Sequence, residues 1–460
     1  MLNIRLSVSR LILILFLFCA NYTIYSKNWL NSKWPIQMDA NGYYLYLPAI
    51  FIYDDLRSLR FTEKLDDQFD RTYFLYKNSS GGYMTKYSPG MAILELPFFL
   101  IAHFTANYFG FEANGYSPPY RLSIAISSIF YSCLGLWILS FLLARYFSQP
   151  TVNWVLLSLF LGTNLLFSSL IQAGVTHNYL FMVFSLLILF LDNWRISEEK
   201  YWFALSCACV GFSTLIRPTE VLVGIVPLVF FWYLRKPNFS LKSVKSNLFL
   251  LVYGLVAFLI FMVPVFFYWK FSTGSWIAYT YEDEGFYFDR PWQIWYGLFG
   301  FRKGWLVYTP MVAIALLGLW RMLNSNLLKP YALALLIYLP VNLYIVLSWY
   351  GWWYGGCFGN RALVPVLALL SLPLAWIFEN SKSVLKNILF AISVFFIVLN
   401  IFQSFQYQRQ IIHMDAMTWE SYKFIFGKWK LNDFEKTEMK RLLDYPDYSQ
   451  RGKRLNEYLK

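Results

Sequence analysis

Apolar residues fall in continuous blocks along this chain, not in alternation. Trp202–Gly211 and Val221–Leu234, for example, contain no charged residue. Crossing about 30 Å of hydrocarbon takes a helix of about 20 residues. Only helices and closed barrels satisfy their own backbone in lipid, and the absence of period-two alternation sets a barrel aside. The pattern predicts an all-α polytopic membrane protein with about eleven transmembrane helices, some short enough to imply local thinning or burial among neighbours. The expected spans are Leu11–Tyr25, Tyr120–Phe147, Thr151–Ile171, His177–Trp194, Tyr201–Ile216, Val221–Tyr233, Asn247–Tyr268, Trp305–Leu323, Tyr331–Trp349, Ala362–Phe378 and Asn387–Phe402. No internal repeat is evident, which weighs against an inverted-repeat transporter.

Two polar intervals need a different reading. Lys27–Pro89 is too long for a turn and too aromatic for a flexible linker. Its Tyr43, Tyr44, Tyr46 and Phe51 suit juxtamembrane helices, with rings at headgroup depth. Met91–Phe109 is apolar but holds Glu95, Pro97 and His103, which are expensive in lipid. If it crosses, His177, Arg217 and Arg361 move to the cytoplasmic side and Lys242 and Lys245 move outside. If it lies at the surface or re-enters, Arg145, Arg195, Arg235, Lys236, Lys242, Lys245, Arg321, Lys329, Lys382 and Lys386 all fall inside. The second arrangement obeys the positive-inside rule at nearly every loop and is the one expected. Arg5 and Arg10 ahead of the first apolar run predict an uncleaved first span with a cytoplasmic N-terminus. Residues 1–404 then form the membrane domain and 405–460 a non-cytoplasmic tail, whose many lysines and arginines argue mildly against that side.

Composition agrees. Charged residues make up 14% of the 460 and hydrophobic ones 58%, against about 25% charged in soluble domains. The net charge of +13 sits mostly in short loops between spans, so it does not call for nucleic acid. The five cysteines lie almost all in apolar segments, and Cys207 and Cys209 face different ways on a helix. Neither a disulfide framework nor a cysteine metal pair is expected.

On this topology the unusual polar residues gather at the outer face of the plasma membrane. Asp39 follows the first span, Lys86-Tyr87-Ser88-Pro89-Gly90 closes the first loop, and His177 opens a span. Arg217-Pro218-Thr219-Glu220 makes a tight turn, and Glu282, Asp283, Glu284 and Asp289 precede Arg302-Lys303-Gly304. Trp352-Trp353-Tyr354-Gly355-Gly356-Cys357-Phe358-Gly359-Asn360-Arg361 fills a third loop. Cations that hold a phosphate, rings that stack on sugar faces and a carboxylate that takes a hydroxyl proton are what a phospholipid-linked sugar requires. With no Gly-rich phosphate loop after a strand, the donor is expected to be a lipid phosphate and not a nucleotide sugar. Asp39 equally suits capping of a helix starting near Ala40. Lys86, Lys303 and Arg361 equally suit snorkelling to headgroups, and the run Trp349–Tyr354 an interfacial belt.

At these residues the chain resembles the GT-C class of membrane glycosyltransferases, in the protein O-mannosyltransferase and aminoarabinose transferase branch (glycosyltransferase family 39-like). The resemblance also draws on Thr176-His177-Asn178, on Lys303-Gly304-Trp305-Leu306-Val307-Tyr308-Thr309-Pro310 and on the order of the motifs over about residues 1–405. It implies a polyprenyl-phosphate sugar donor, an acceptor (glycan, lipid or protein) bound on the outer face, and inversion at the anomeric carbon. Asp39 would be the general base or orient the acceptor hydroxyl. Lys86, Arg217, Lys303 and Arg361 would hold the donor phosphate, and Tyr43, Tyr87, His177, Glu284 and Trp353 would line the substrate site. Two departures stand out. Ala40 and Asn41 follow Asp39 where the family often has a second acid, and Lys86-Tyr87-Ser88 replaces the Lys-Pro-Pro of the aminoarabinose branch. The missing acid leaves metal use open; no cofactor is certain, and Glu282–Glu284 is a candidate for a divalent cation that equally suits a solvated loop. A transporter or flippase of lipid-linked glycans, or a non-catalytic scaffold, are the rival classes.

Overall fold

The computed structural model describes residues 2–26, 29–64, 74–78, 81–235, 241–281 and 284–446. Helices dominate, and the sheet among the described residues is one short hairpin, Leu75–Lys77 against Tyr83–Thr85, antiparallel with Leu75 opposite Thr85. Among the described residues, seven helices are long and apolar enough to cross a membrane: Val8–Ser26, Gly90–Phe109, Pro118–Leu143, Thr176–Ser197, Val244–Thr273, Lys329–Leu347 and Ser383–Gln408. Four shorter apolar ones, Lys200–Ile216, Pro218–Leu234, Met311–Met322 and Val366–Asn380, accompany them. The chain divides into two compact units, Leu6–Ile138 with Gln172–Tyr281, and Met1–Arg5 with Leu139–Ile171 and Glu282–Lys460.

In the first of these, Lys200–Ile216 packs on the long helix Leu241–Thr273 through glycine. A side chain on Gly211 would come within 2.4 Å of the Phe258 carbonyl oxygen, so only a hydrogen lets the two backbones approach. Much of the outer face of Leu241–Thr273 is exposed and apolar, with Leu248, Leu255, Ile260 and Phe267 turned outward, as a lipid-facing helix requires. Met38–Tyr44 and Tyr46–Phe51 are the short aromatic helices expected of the first polar interval.

Gly90–Ala106 is a continuous helix that qualifies as a span by length and composition. Its register against a neighbour is more informative. His103 Nδ1 lies 2.7 Å from the Tyr120 hydroxyl, and the Tyr131 hydroxyl donates to the Leu94 carbonyl at 2.7 Å. The helix therefore runs antiparallel beside roughly the first half of Pro118–Leu143 and begins near that helix's middle, where Gly90 meets the backbone of Leu215 and Ile216. Glu95 is fully buried and accepts a 3.2 Å hydrogen bond from the Tyr179 hydroxyl, which also lies 2.6 Å from Ser127 Oγ. Its polar end thus points into the protein and not into lipid.

The other unit breaks several expected spans. Thr151–Ile171 is two helices, Gln149–Leu161 and Leu165–Leu170. Thr163 interrupts them, its hydroxyl donating to the Leu159 carbonyl at 2.5 Å and accepting from the Leu165 amide at 3.2 Å. Trp305–Leu323 breaks at Pro310 into Trp305–Tyr308 and Met311–Met322, because proline has no amide to continue the ladder. Ala362–Phe378 is likewise a 3-10 turn followed by Val366–Leu369 and Ser371–Asn380. Gly318 lets Met311–Met322 sit on the Pro373 carbonyl, 2.0 Å from where a Cβ would stand.

The boundary at 404/405 falls inside the continuous helix Ser383–Gln408. Beyond it, Trp419–Ile425 and Asp433–Leu442 each start with a capping box, on Thr418 with Ser421 and on Asn432 with Glu435. Ile411, Ile412, Met417, Ile425, Leu431 and Met439 bury themselves against Phe167, Tyr308 and Phe358. The described part of the tail, to residue 446, is a layer of this unit's core.

Candidate active site

Asp39 stands in the first turn of Met38–Tyr44, where the helix dipole favours a negative charge. The N-cap is Gln37, without a side-chain cap bond, so Asp39 does not cap the helix as one sequence reading allowed. It is partly exposed, and its Oδ1 accepts a short hydrogen bond from the Tyr87 hydroxyl. The Tyr43 and Tyr87 rings lie 4.2 Å apart. The Lys86 ammonium sits 5.4 Å from the Tyr87 ring centre and 5.9 Å from that of Tyr281. Asp39, Tyr43, Lys86 and Tyr87, named separately from the sequence, thus form one cluster.

Its backbone is fixed from several sides. The Tyr46 hydroxyl donates to the Tyr87 carbonyl at 2.6 Å, and Thr280 Oγ1 donates to the Lys86 carbonyl at 2.7 Å. Thr85 Oγ1 donates to the Gly42 carbonyl at 3.0 Å, and the hairpin strand ending at Thr85 delivers Lys86 to this point. Gly174 brings the residues before Thr176–Ser197 alongside, a Cβ there lying 3.1 Å from that of Ala40. Thr280 and Tyr281 were missed in the sequence. Their distance in the chain from Lys86 hides them, and only the aromatic character of Tyr279–Tyr281 hints at a role.

Arg217 and His177 belong to the same unit but are engaged otherwise. Arg217 Nη2 forms a short ion pair with Glu220, and its Nε donates to Thr219 Oγ1 at 3.1 Å. Glu220 is buried, so this guanidinium balances an interior carboxylate in the tight turn where the sequence places it. His177 is buried in the first turn of Thr176–Ser197.

In the other unit a second cationic cluster forms. The Lys303 ammonium is buried and donates to the carbonyls of Cys357 and Met414 in short hydrogen bonds. Burial pulls its pKa below the ordinary lysine range; Cys357 and Asp415 oppose the shift and Arg361 adds to it. Arg361 is thus near enough to act on the Lys303 charge, and Lys303 ties two loops together. Trp353 is buried, with the Arg302 guanidinium 5.7 Å from its ring centre and paired with Asp444 at 2.7 Å. Glu284 is buried beside the short bridge that pairs Phe286 with Trp349. Met414, Asp415 and Asp444 were not singled out, since nothing in the tail's mixed charge marks them. Glu282 and Asp283 lie outside the described residues. Among the described residues no group of three or more His, Cys, Asp or Glu is arranged to hold a metal.

No family model and no curated protein matches this sequence. Among solved structures the chain is similar to ArnT from Cupriavidus metallidurans bound to undecaprenyl phosphate. The TM-score is 0.53, at 13% identity over 87% of this chain. The fold is GT-C-like.

This chain spans 65% of the length of that protein. The shared architecture makes it an all-α polytopic membrane protein with short helices after the first span. At this identity the likeness speaks for the fold, and the chemistry rests on the residues themselves.

Proposed function

We propose that this chain is a membrane glycosyltransferase. It moves a sugar from a polyprenyl phosphate to an acceptor hydroxyl on the outer face of the plasma membrane. The carrying observation is the cluster of Asp39, Tyr87 and Lys86 at the start of the first juxtamembrane helix. A partly exposed carboxylate and an ammonium share one aromatic platform, on a fold similar to one crystallised with undecaprenyl phosphate.

In the proposed reaction the acceptor oxygen attacks the anomeric carbon from the face opposite the phosphate. The new C–O bond forms as the bond to the phosphate oxygen breaks, and the configuration inverts. Asp39 takes the acceptor proton. The electron pair of the breaking bond leaves on the polyprenyl phosphate, and Lys86 offsets that growing negative charge. Arg217 and Lys303 are less suited, being committed to Glu220 and to two carbonyls. No step requires a metal.

The test is release of free polyprenyl phosphate from a panel of synthetic polyprenyl-phosphate hexoses and pentoses, with the full chain in nanodiscs and envelope extract as acceptor. Asp39→Asn should lower turnover by about 100-fold or more with normal insertion. Lys86→Ala should lower kcat/KM about tenfold or more, partly restored by Lys86→Arg. Normal turnover in Asp39→Asn sinks the mechanism.

A further inference from the structure

Tyr87 is held more tightly than a substrate-stacking ring needs to be. It is 7% exposed, so neither face is open to a sugar. Gly42 forms its seat, since a Cβ there would lie 2.3 Å from Tyr87 Cδ2 and 2.6 Å from Cε2. Tyr43 lies against the ring and Tyr281 meets it edge-on at 6.3 Å. The Tyr46 hydroxyl fixes its carbonyl, and Thr280 fixes that of Lys86. With ring and backbone immobilised, the position of the hydroxyl is set by packing, and it donates to Asp39 Oδ1.

We infer that Tyr87 is a positioning residue, whose hydroxyl orients the Asp39 carboxylate and holds it in the ionised form. This rests on the role proposed above for Asp39. A hydrogen bond donated to a carboxylate favours its charged state. It also confines the side chain to one rotamer, which matters where an approaching hydroxyl must meet the oxygen at a fixed distance. The Lys86 ammonium, 5.4 Å from the Tyr87 ring centre, also favours the charged carboxylate and is retained in Tyr87→Phe and Gly42→Ala. Removing the hydroxyl takes away one restraint and one charge-stabilising bond, so Asp39 protonates at higher pH.

Tyr87→Phe tests this, because it keeps the ring in its seat and removes only the hydroxyl. Two readouts are taken on the full chain in nanodiscs. The first is the pH dependence of Asp39 labelling by a carbodiimide with glycine ethyl ester, which reacts with the protonated acid and is read by peptide mass spectrometry. The second is the pH profile of transfer. Tyr87→Phe should move the labelling midpoint and the acid limb of kcat up together by about one pH unit. kcat should fall about tenfold, with the donor KM unchanged. Gly42→Ala, which drives the ring from its seat, should give the same midpoint shift with the hydroxyl still present. Unchanged midpoints in both variants overturn the inference. So does a Tyr87→Phe variant as inactive as Asp39→Asn at every pH, since the hydroxyl would then take part in the chemistry itself. A shifted midpoint in a chain that transfers no sugar leaves the positioning intact and refutes the transferase reading instead.

Discussion

A charged side chain means something only together with what it touches. Arg217 stands out in the sequence as a cation in a short turn, yet the carboxylate that engages it is three residues further on, at Glu220. Lys303 reads as a phosphate ligand until its two carbonyl partners are seen. Its lowered pKa gives that role a measurable sign. A lysine depressed in the folded state burdens the fold while protonated, and the burden is relieved as pH rises through the folded-state value towards the ordinary value of about 10.4. In that alkaline window the unfolded chain binds more protons than the native one, so the local contribution makes stability rise with pH. Lys303→Met should abolish that rise in denaturation measurements in detergent as pH approaches about 10. It should also cost on the order of 2 kcal/mol at neutral pH, by leaving two carbonyls without their donor. An identical pH slope in variant and wild type would mean that Lys303 does not carry it.

Among the elements, Gly90–Ala106 decides the topology. Its length permits a crossing, while its pairing with only the first half of Pro118–Leu143 favours a helix that stays on one side. Single cysteines at the exposed or half-buried positions Gly81, Glu112, Gln172 and Ser275, in a background without native cysteine, separate the two cases. The one-sided arrangement predicts that all four label from the outer face with an impermeant thiol reagent. A crossing helix leaves Gly81 outside and moves Glu112, Gln172 and Ser275 to cytoplasmic access, which would dissolve the proposed outer-face site. Glu95, Pro97 and His103 already mark this helix as unusual in the sequence. The breaks near Thr163 and Leu370 also have causes in the sequence, Gly162 and Asn164 at the first and Pro373, three residues on, at the second. At Thr163 the hydroxyl adds its own bonds to the Leu159 carbonyl and the Leu165 amide, a local competitor of the helix ladder.

At the scale of the whole molecule, the residues after Gln408 behave as core. Six buried apolar side chains from this segment seat on Phe167, Tyr308 and Phe358, each worth roughly 1.5–3 kcal/mol when buried. Truncation after Gln408 should therefore yield a chain that aggregates or loses its thermal transition in detergent, as judged by size-exclusion profile and melting. By contrast Asp444→Asn, at a largely exposed partner of Arg302, should change stability by less than about 1 kcal/mol. A well-behaved truncated protein would show that the segment is an appendage.

The fold class was legible from the sequence because lipid leaves a spanning chain few options: continuous apolar blocks must become helices, and basic residues sort to one side. The part of the site that was legible is the part built from near neighbours in the chain, Asp39 with Tyr43 and Lys86 with Tyr87. What tertiary structure alone decided is which of these groups meet and which are spent elsewhere. Tyr87 reaches Asp39 across 48 residues through a seat that Gly42 leaves open, and the tail supplies the Met414 carbonyl 111 residues from Lys303. Such pairings depend on packing between segments distant in the chain. Periodicity and charge report only the environment of each segment taken alone.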